Sequence, residues 1–313
     1  MVAHQYIHMG YPTRMVLKIL HVAVSSFYYK PKPQESPRGI QPSKVTFDRF
    51  GIAVPNEVVV ADIVNYLEKE FVDYGYLKFT HWLRQEMGYR INPKKVYRLM
   101  KQNNLLNKKS PHLVTKRQWV TQLVPQTTCP FEYLEVDIKY VIIHGVRRNA
   151  MTINVIDVES RWLLGHYIGW NIQYTHVRQL FDQIFQVYPL PERFFVRSDN
   201  GSQFVAENIQ DYFHDKGAIK EYCKPATPEQ NAHVESFHSI IEAVLCQNYQ
   251  WESIIQAGST LNRFAIFYDF ERIHSGIGYI PPVKYLRNKG IFMDMNDLYC
   301  ALDCLNLNLK LVH

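Results

Sequence analysis

The sequence predicts an α/β protein, a mixed sheet with helices on its faces, preceded by an all-α helix-turn-helix domain. Three observations carry this. Residues 132–170 read as three successive runs of β-branched and aromatic residues, after which helical and strand periods alternate to about residue 248. Residues 57–101 show three short helical periods before that core begins. Charge divides along the same line: residues 1–118 hold 19 Lys+Arg against 8 Asp+Glu, a net of +11, whereas residues 119–313 hold 16 against 21, a net of −5. A basic front and an acidic back imply separate tasks, with polyanion contact concentrated in the front.

Taken in order, residues 1–29 form a short helical N-terminal segment, with Val16, Leu17, Leu20 and Val24 at helical spacing and Ser25-Ser26 capping a further turn. Pro31, Pro33, Pro37 and Pro42 interrupt regular structure, so residues 30–55 are read as a Pro-rich linker. The helix-turn-helix domain spans 56–108. Val60, Ile63, Val64 and Leu67 mark its first helix; Leu77, Phe79, Trp82 and Leu83 mark its second, which Gly88 stops. Asn92 is placed to cap the third helix, with Pro93 at its first position. That helix presents Lys94, Lys95, Arg98 and Lys101, the expected DNA contacts of a recognition helix. A basic linker at 109–127, carrying Lys116 and Arg117, leads to a core at 128–290, and 291–313 is a C-terminal tail.

Within the core, E-Y-L-E-V-D-I-K-Y-V-I-I, A-M-T-I-N-V-I-D-V and W-L-L-G-H-Y-I-G-W are expected as three antiparallel strands. A helix at about 174–187, a strand at 194–196, a helix at 204–216, a strand at 219–222 and a long helix at about 231–248 complete the order βββαβαβα.

Three acids stand out in this frame. Asp137 interrupts the first strand, Asp199 follows the fourth in V-R-S-D-N-G-S-Q-F, and Glu235 lies on the long helix in P-E-Q-N-A-H-V-E-S-F-H. Oxygen-only ligands suit Mg²⁺ or Mn²⁺, and two such ions about 3.5–4 Å apart serve both sides of a phosphodiester displacement. Without cations the three charges repel, so Glu235 is expected to order only with metal or DNA. Glu135 shares the strand face of Asp137 and is a rival ligand. Asp157 is read as a turn cap, His233 and His238 as packing or solvent-facing groups, and Arg272 and His274 as phosphate contacts.

Composition excludes other classes. Five cysteines without a C-x-x-C pair argue for free thiols in a reducing compartment. Neither a signal peptide nor an apolar stretch of membrane-spanning length is present in the sequence, which points to the cytoplasm and, on DNA, to the nucleoid.

The order βββαβαβα is also that of the ribonuclease-H-like fold. Asp137, S-D-N-G-S-Q-F at 198–204 and P-E-Q-N-A-H-V-E-S-F-H at 228–238 resemble the integrase catalytic core, above all the OrfB-type transposases of insertion sequences, relatives of retroviral integrases. Y-G-Y-L-K at 74–78, N-P-K-K-V-Y-R-L-M at 92–100 and Y-D-F-E-R-I-H-S-G-I-G-Y-I-P-P at 268–282 extend the resemblance over nearly the whole chain. It implies a DDE-type polynucleotidyl transferase that binds element ends, cleaves a phosphodiester and joins the freed 3′-hydroxyl to another strand. Asp137, Asp199 and Glu235 would be both catalytic and metal-binding. It further implies that Asn200, Gln230 and Asn231 meet DNA, that the protein assembles as a homo-oligomer on DNA, and that an OrfA-type partner or fusion takes part. The rival expectations are a nuclease that cuts without joining and an inactive DNA-binding descendant. Two positions depart from the family pattern: Leu134 where Trp is usual, and Glu242 where Lys or Arg is usual.

Overall fold

The computed structural model describes residues 2–29, 42–106, 125–224 and 228–294. Two units make up the chain, Met1–Lys44 and Val45–His313. The first holds α1 (Val2–His8), α2 (Thr13–Ile19) and α3 (Val24–Phe27), packed around Ala3, Val16 and Leu17 with Ile7, Val22 and Phe27 beside them. Leu20 and Val24, expected on the buried stripe, are exposed.

The second unit begins with a small sheet that sequence reading assigned to linker. β1 (Val45–Asp48) and β2 (Ala53–Pro55) form a hairpin, and β1 also pairs with β3 (Tyr89–Arg90). The hairpin turn is held by Asp48, whose Oδ1 accepts the Phe50 and Ile52 N–H groups, while Gly51 supplies a φ of +84°. Around this sheet pack α4 (Asn56–Leu67), α5 (Tyr76–Gln85) and α6 (Pro93–Gln102). Their ends follow local chemistry. Gly88 takes the left-handed conformation after α5, and the Asn92 side chain accepts the Lys95 N–H at 2.9 Å with Pro93 opening α6. Val59, Ile63, Phe79, Leu83, Val96 and Met100 are fully or almost fully buried between the helices; each contributes about 1.5–3 kcal/mol relative to exposure.

The core is a five-stranded sheet of β4 (Tyr133–Ile143), β5 (Arg148–Asp157), β6 (Leu163–Gly169), β7 (Phe194–Ser198) and β8 (Ala218–Tyr222), in the order β6-β5-β4-β7-β8. β4, β5 and β6 are antiparallel; β7 and β8 run parallel to β4. This is the mixed sheet of the ribonuclease-H-like fold. Four helices fall between and after the later strands: α7 (Tyr174–Val187), α8 (Ser202–Val205), α9 (Glu207–Asp215) and α10 (Ala232–Ile241). A π-helical turn, Glu242–Cys246, extends α10. α11 (Ile254–Phe270) and α12 (Pro282–Asn288) close the described chain.

Strand alternation divides the core. Leu134 and Val136 of β4 face one side, where α7 and α9 supply Leu180, Phe181, Ile184 and Phe213. Val141 and Ile143 face the other, among Phe237 and Ile241 of α10 and Leu261 and Phe264 of α11. By the same period Glu135, Asp137 and Lys139 lie on the α10 side. The helical domain is docked to this half of the core: Arg272 forms a bidentate pair with Asp73, at 2.5 and 3.0 Å, and the Tyr74 hydroxyl accepts the Ile273 N–H.

Candidate active site

Strand β4 presents three polar groups to α10, and each finds a partner there. Glu135 is fully buried; its Oε2 accepts the backbone N–H groups of His233, at 2.8 Å, and Val234, at 3.0 Å. Its Oε1 lies 2.8 Å from His233 Nδ1. The carboxylate therefore satisfies the orphan donors in the first turn of α10, where the helix dipole favours an anion. One rung along, Asp137 Oδ2 lies 3.5 Å from His238 Nδ1. At the third rung Lys139 Nζ meets Glu242 Oε2 at 2.8 Å.

The start of α10 is held from β7 as well. Arg197 donates to the Gln230 carbonyl at 2.7 Å and pairs with Glu221 at 2.9 Å. Gln230 Oε1 accepts the Lys224 N–H at 2.6 Å, and Asn231, 4% exposed, donates to the Val136 carbonyl at 3.3 Å.

Asp137 and Asp199 come together because β4 and β7 are parallel neighbours: Asp137 lies within β4, and Asp199 follows the last residue of β7. Burial above all, and then the charges of Asp199 and Glu135, push the Asp137 carboxyl up to about 6, against the pull of the Ile138 N–H bonded to its Oδ1. Asp199 Oδ1 accepts the Gly201 N–H at 3.0 Å, and a Cβ at Gly201 would meet the Gln203 amide at 2.2 Å before reaching that oxygen at 3.0 Å. Beneath it, Lys220 donates to Ser198 Oγ at 2.6 Å; burial brings its ammonium down to about 7, and the Asp199 charge opposes that shift.

His238 lies beside Asp137. Its Nε2 lies 3.0 Å from the Asn154 amide nitrogen, a donor, so the neutral ring carries its proton on Nδ1, toward Asp137. Burial, reinforced by Lys139, lowers the ring to about 3 and keeps it neutral. Asn154 is the cross-strand partner of Asp137, which puts all three groups in one place.

Glu235 stands on the first turn of α10, one turn before His238 and half-buried. It is not gathered with the two aspartates into a complete ligand set: among the described residues, no three His, Cys, Asp or Glu side chains form a metal-sized cluster. The donors nonetheless fit a hard divalent cation. Two neighbouring carboxylates, with the Asp199 charge helping to push the Asp137 carboxyl up, make a site that a cation relieves.

The expected DNA contacts separate on inspection. Lys94 and Lys101 are exposed on α6. Lys95 instead donates its ammonium to the Val45 carbonyl at 2.5 Å, and Arg98 is half-buried. Asn200 ties the loop after β7 to the Cys223 carbonyl at 2.9 Å. Asn231 faces inward, contrary to its reading as a DNA-facing loop residue, because its amide satisfies the β4 backbone. Asp157 is the turn cap that sequence suggested: fully buried, it accepts from Phe131 N, Ser160 N and Ser160 Oγ. Leu134 points away from Asp137 into the α7 side of the core, so the departure from Trp there is a packing difference and not a change at the acids. Sequence reading missed the partners of Glu135, His238 and Lys139. The alternation of three polar residues along β4 was its one available signal.

Sheet order, parallel β4–β7 pairing and two facing aspartates define an integrase-type core. Family comparison agrees: residues 127–228 and 216–282 each match an integrase core domain, and residues 56–111 match an HTH-like domain. The chain carries an integrase core domain preceded by an HTH-like domain and is similar to insertion-sequence transposases of the DDE integrase family. It is 26% identical to an uncharacterized 39.2 kDa protein of insertion element IS476 from Xanthomonas euvesicatoria, over 69% of this chain and 61% of that protein. The match thus spans about three-fifths of that relative's length. It is 25% identical to the transposase for insertion sequence element IS904 of Lactococcus lactis, over 68% of this chain and 87% of the relative. Among solved structures, the catalytic core domain of BIV integrase aligns with a TM-score of 0.40 and 17% identity, covering 51% of this chain and 97% of that one.

Proposed function

We propose that this chain is the catalytic subunit of a transposase. It binds the ends of its mobile element, hydrolyses a phosphodiester there and directs the freed 3′-hydroxyl at a second strand. The observation that carries this reading is the closeness of Asp137 and Asp199 on adjacent parallel strands, with the start of α10, the helix that carries Glu235, held against β4 by Glu135. Asp137, Asp199 and Glu235 would hold divalent cations, Mg²⁺ or Mn²⁺ and two in number. A cation bound there supplies Lewis-acid neutralisation of the charge that builds on the phosphoryl oxygens.

The remaining residues position the chemistry. His238, a neutral ring 3.5 Å from the Asp137 carboxylate, packs beside it without neutralising its charge. Glu135 fixes the start of the helix that carries Glu235. Lys94 and Lys101 on α6 contact element-end DNA. The protein acts as a homo-oligomer, because joining requires two ends in one complex, and an OrfA-type partner supplies further end recognition.

The test is an oligonucleotide strand-transfer assay with Mg²⁺ or Mn²⁺. The wild-type chain should give cleaved and joined products, and Asp199→Asn and Glu235→Gln should each abolish both while still shifting DNA in a gel. Wild-type turnover by either variant would remove the acids from the mechanism. Cleavage without joining would indicate a nuclease, and binding without cleavage an inactive DNA-binding descendant.

A further inference from the structure

Two motifs from opposite ends of the second unit meet in one cavity. Lys78 comes from the start of α5, Arg272 and His274 from the segment after α11, and Arg161 from the turn between β5 and β6. They line a cavity of about 440 Å³ whose wall on the core side is α10, through Ser236 and its neighbours. No aspartate or glutamate lines it among the described residues.

Two of the residues that line it carry a buried polar atom without a partner, one a donor and one an acceptor. Arg272 spends Nη1 and Nη2 on Asp73 and leaves its Nε–H unbonded, while the neutral His274 ring, 8% exposed, donates to the Tyr268 backbone and leaves Nε2 an unpaired acceptor. A buried donor left unbonded is costly, and an anion able to accept from the Arg272 Nε–H would offset that cost. The groups are close enough to feel one another: burial first, and then Arg272, Lys78 and Arg161, hold His274 well below the usual histidine range. Burial and Arg272 together bring Lys78 down to about 7, against the opposing charge of Asp73. A cavity that crowds cations and strands the Arg272 donor is short of an anion.

We propose that this cavity binds a backbone phosphate of the DNA strand leading to the acidic site, through Lys78, Arg161 and Arg272. The location favours a strand over a free anion. The cavity is lined by the exposed Ser236, next in sequence to Glu235, and by the exposed Ser275 and Gly276. Gly276 leaves room for the Arg161 guanidinium, which a Cβ there would meet at 3.2 Å. A phosphate held there lies beside the helix that carries Glu235, and Arg272 couples the same contact to the helical domain through Asp73.

The inference rests on the reading of the chain as a DNA-processing enzyme, so its test has two arms. In the first, full-length wild type, Lys78→Gln and a Lys78→Gln/Arg161→Gln double variant bind a fluorescent 30-base-pair duplex of mixed sequence across a salt series. The double variant should bind about three- to tenfold more weakly near 0.1 M salt, with a logarithmic salt slope smaller by about 1, the signature of one lost phosphate contact. In the second arm, sodium phosphate should raise the thermal midpoint of the wild type above sodium chloride of equal ionic strength, and should fail to do so for the variants. Phosphate stabilisation with an unchanged salt slope would overturn the DNA strand as the source and leave a free-phosphate site. No difference in either arm would overturn the cavity altogether. Lys78→Gln alone keeps the test decisive if the double variant does not fold. Failure of the transposase reading is seen separately, as loss of any dependence of product on Asp199, and leaves the thermal arm still able to report on the cavity.

Discussion

Replacing Glu135 with leucine or glutamine, read by local hydrogen exchange, tests its anchoring of α10. The carboxylate is fully buried and accepts two backbone N–H bonds, at 2.8 and 3.0 Å, in the first turn of the helix that carries Glu235. Hydrogen bonds to a charged group are worth about 1.5–3 kcal/mol each, and leucine fills the space without replacing either. Local opening of that turn should then become easier by about 3 kcal/mol, roughly a hundredfold at 1.4 kcal/mol per decade. Glutamine keeps an acceptor for both N–H groups and a donor for the ring nitrogen of His233, so its effect should be near tenfold. Hydrogen exchange read by mass spectrometry on peptides covering 232–236 measures this directly, with β4–β5 peptides as the control. The expected order is wild type, then glutamine, then leucine, with the controls unchanged and strand-transfer yield falling in the same order. Equal protection in leucine and wild type, or loss spread evenly over the sheet, would refute the anchoring argument.

Three further outcomes follow from particular contacts. Glu242→Lys should disrupt the half-exposed pair with Lys139 at a cost below about 1 kcal/mol, yet strengthen duplex binding and steepen its salt dependence; unchanged affinity across salt would mean that this end of α10 does not meet DNA. His166 is fully enclosed against Asn262, and burial lowers it from 6.5 to about 4. Between those values the unfolded chain holds a proton that the folded chain does not, so stability should fall as pH drops through that window, and urea midpoints should show His166→Gln losing less between pH 7 and pH 5 than wild type. Gly145→Ala would place a Cβ 2.2 Å from the Glu252 carbonyl, where the turn after β4 accepts no side chain, and should destabilise the protein by about 1–3 kcal/mol in the same urea assay.

Much of this architecture was legible because it is written in local chemistry. Gly88, Asn92 and Pro93 end one helix and start the next through contacts within a few residues, and α5 and α6 fall where those residues say. The hairpin β1–β2 was read as linker because its pairing is short and its third strand, β3, lies some forty residues away: Phe47 faces Arg90. α11 escaped because it is buried on several sides, through Ala257, Leu261, Phe264, Ala265, Phe267 and Tyr268, so the one-faced apolar stripe that marks a surface helix is absent. Asp137 and Asp199 were legible as residues, and their meeting was legible from strand order. The groups that surround Asp137 were not, since His238 and Asn154 come to it from elements far apart in sequence.

The departure at Glu242 shows why a single position misleads when its partner is remote. Read along the helix, an acid where the family carries a base removes a positive charge from a DNA-facing site. Across the interface, Glu242 is one half of a pair whose other half, Lys139, sits on β4 two residues after Asp137 and on the same face. The pair therefore keeps a cation within the polar ladder between β4 and α10, carried by the strand in place of the helix. That cation also helps to hold His238 neutral, and so bears on the ring beside Asp137 as well as on charge. An acid at 242 is thus tied to Lys139 by a direct contact, and the two positions should be exchanged together: Lys139→Glu with Glu242→Lys should preserve folding where either change alone weakens the end of α10.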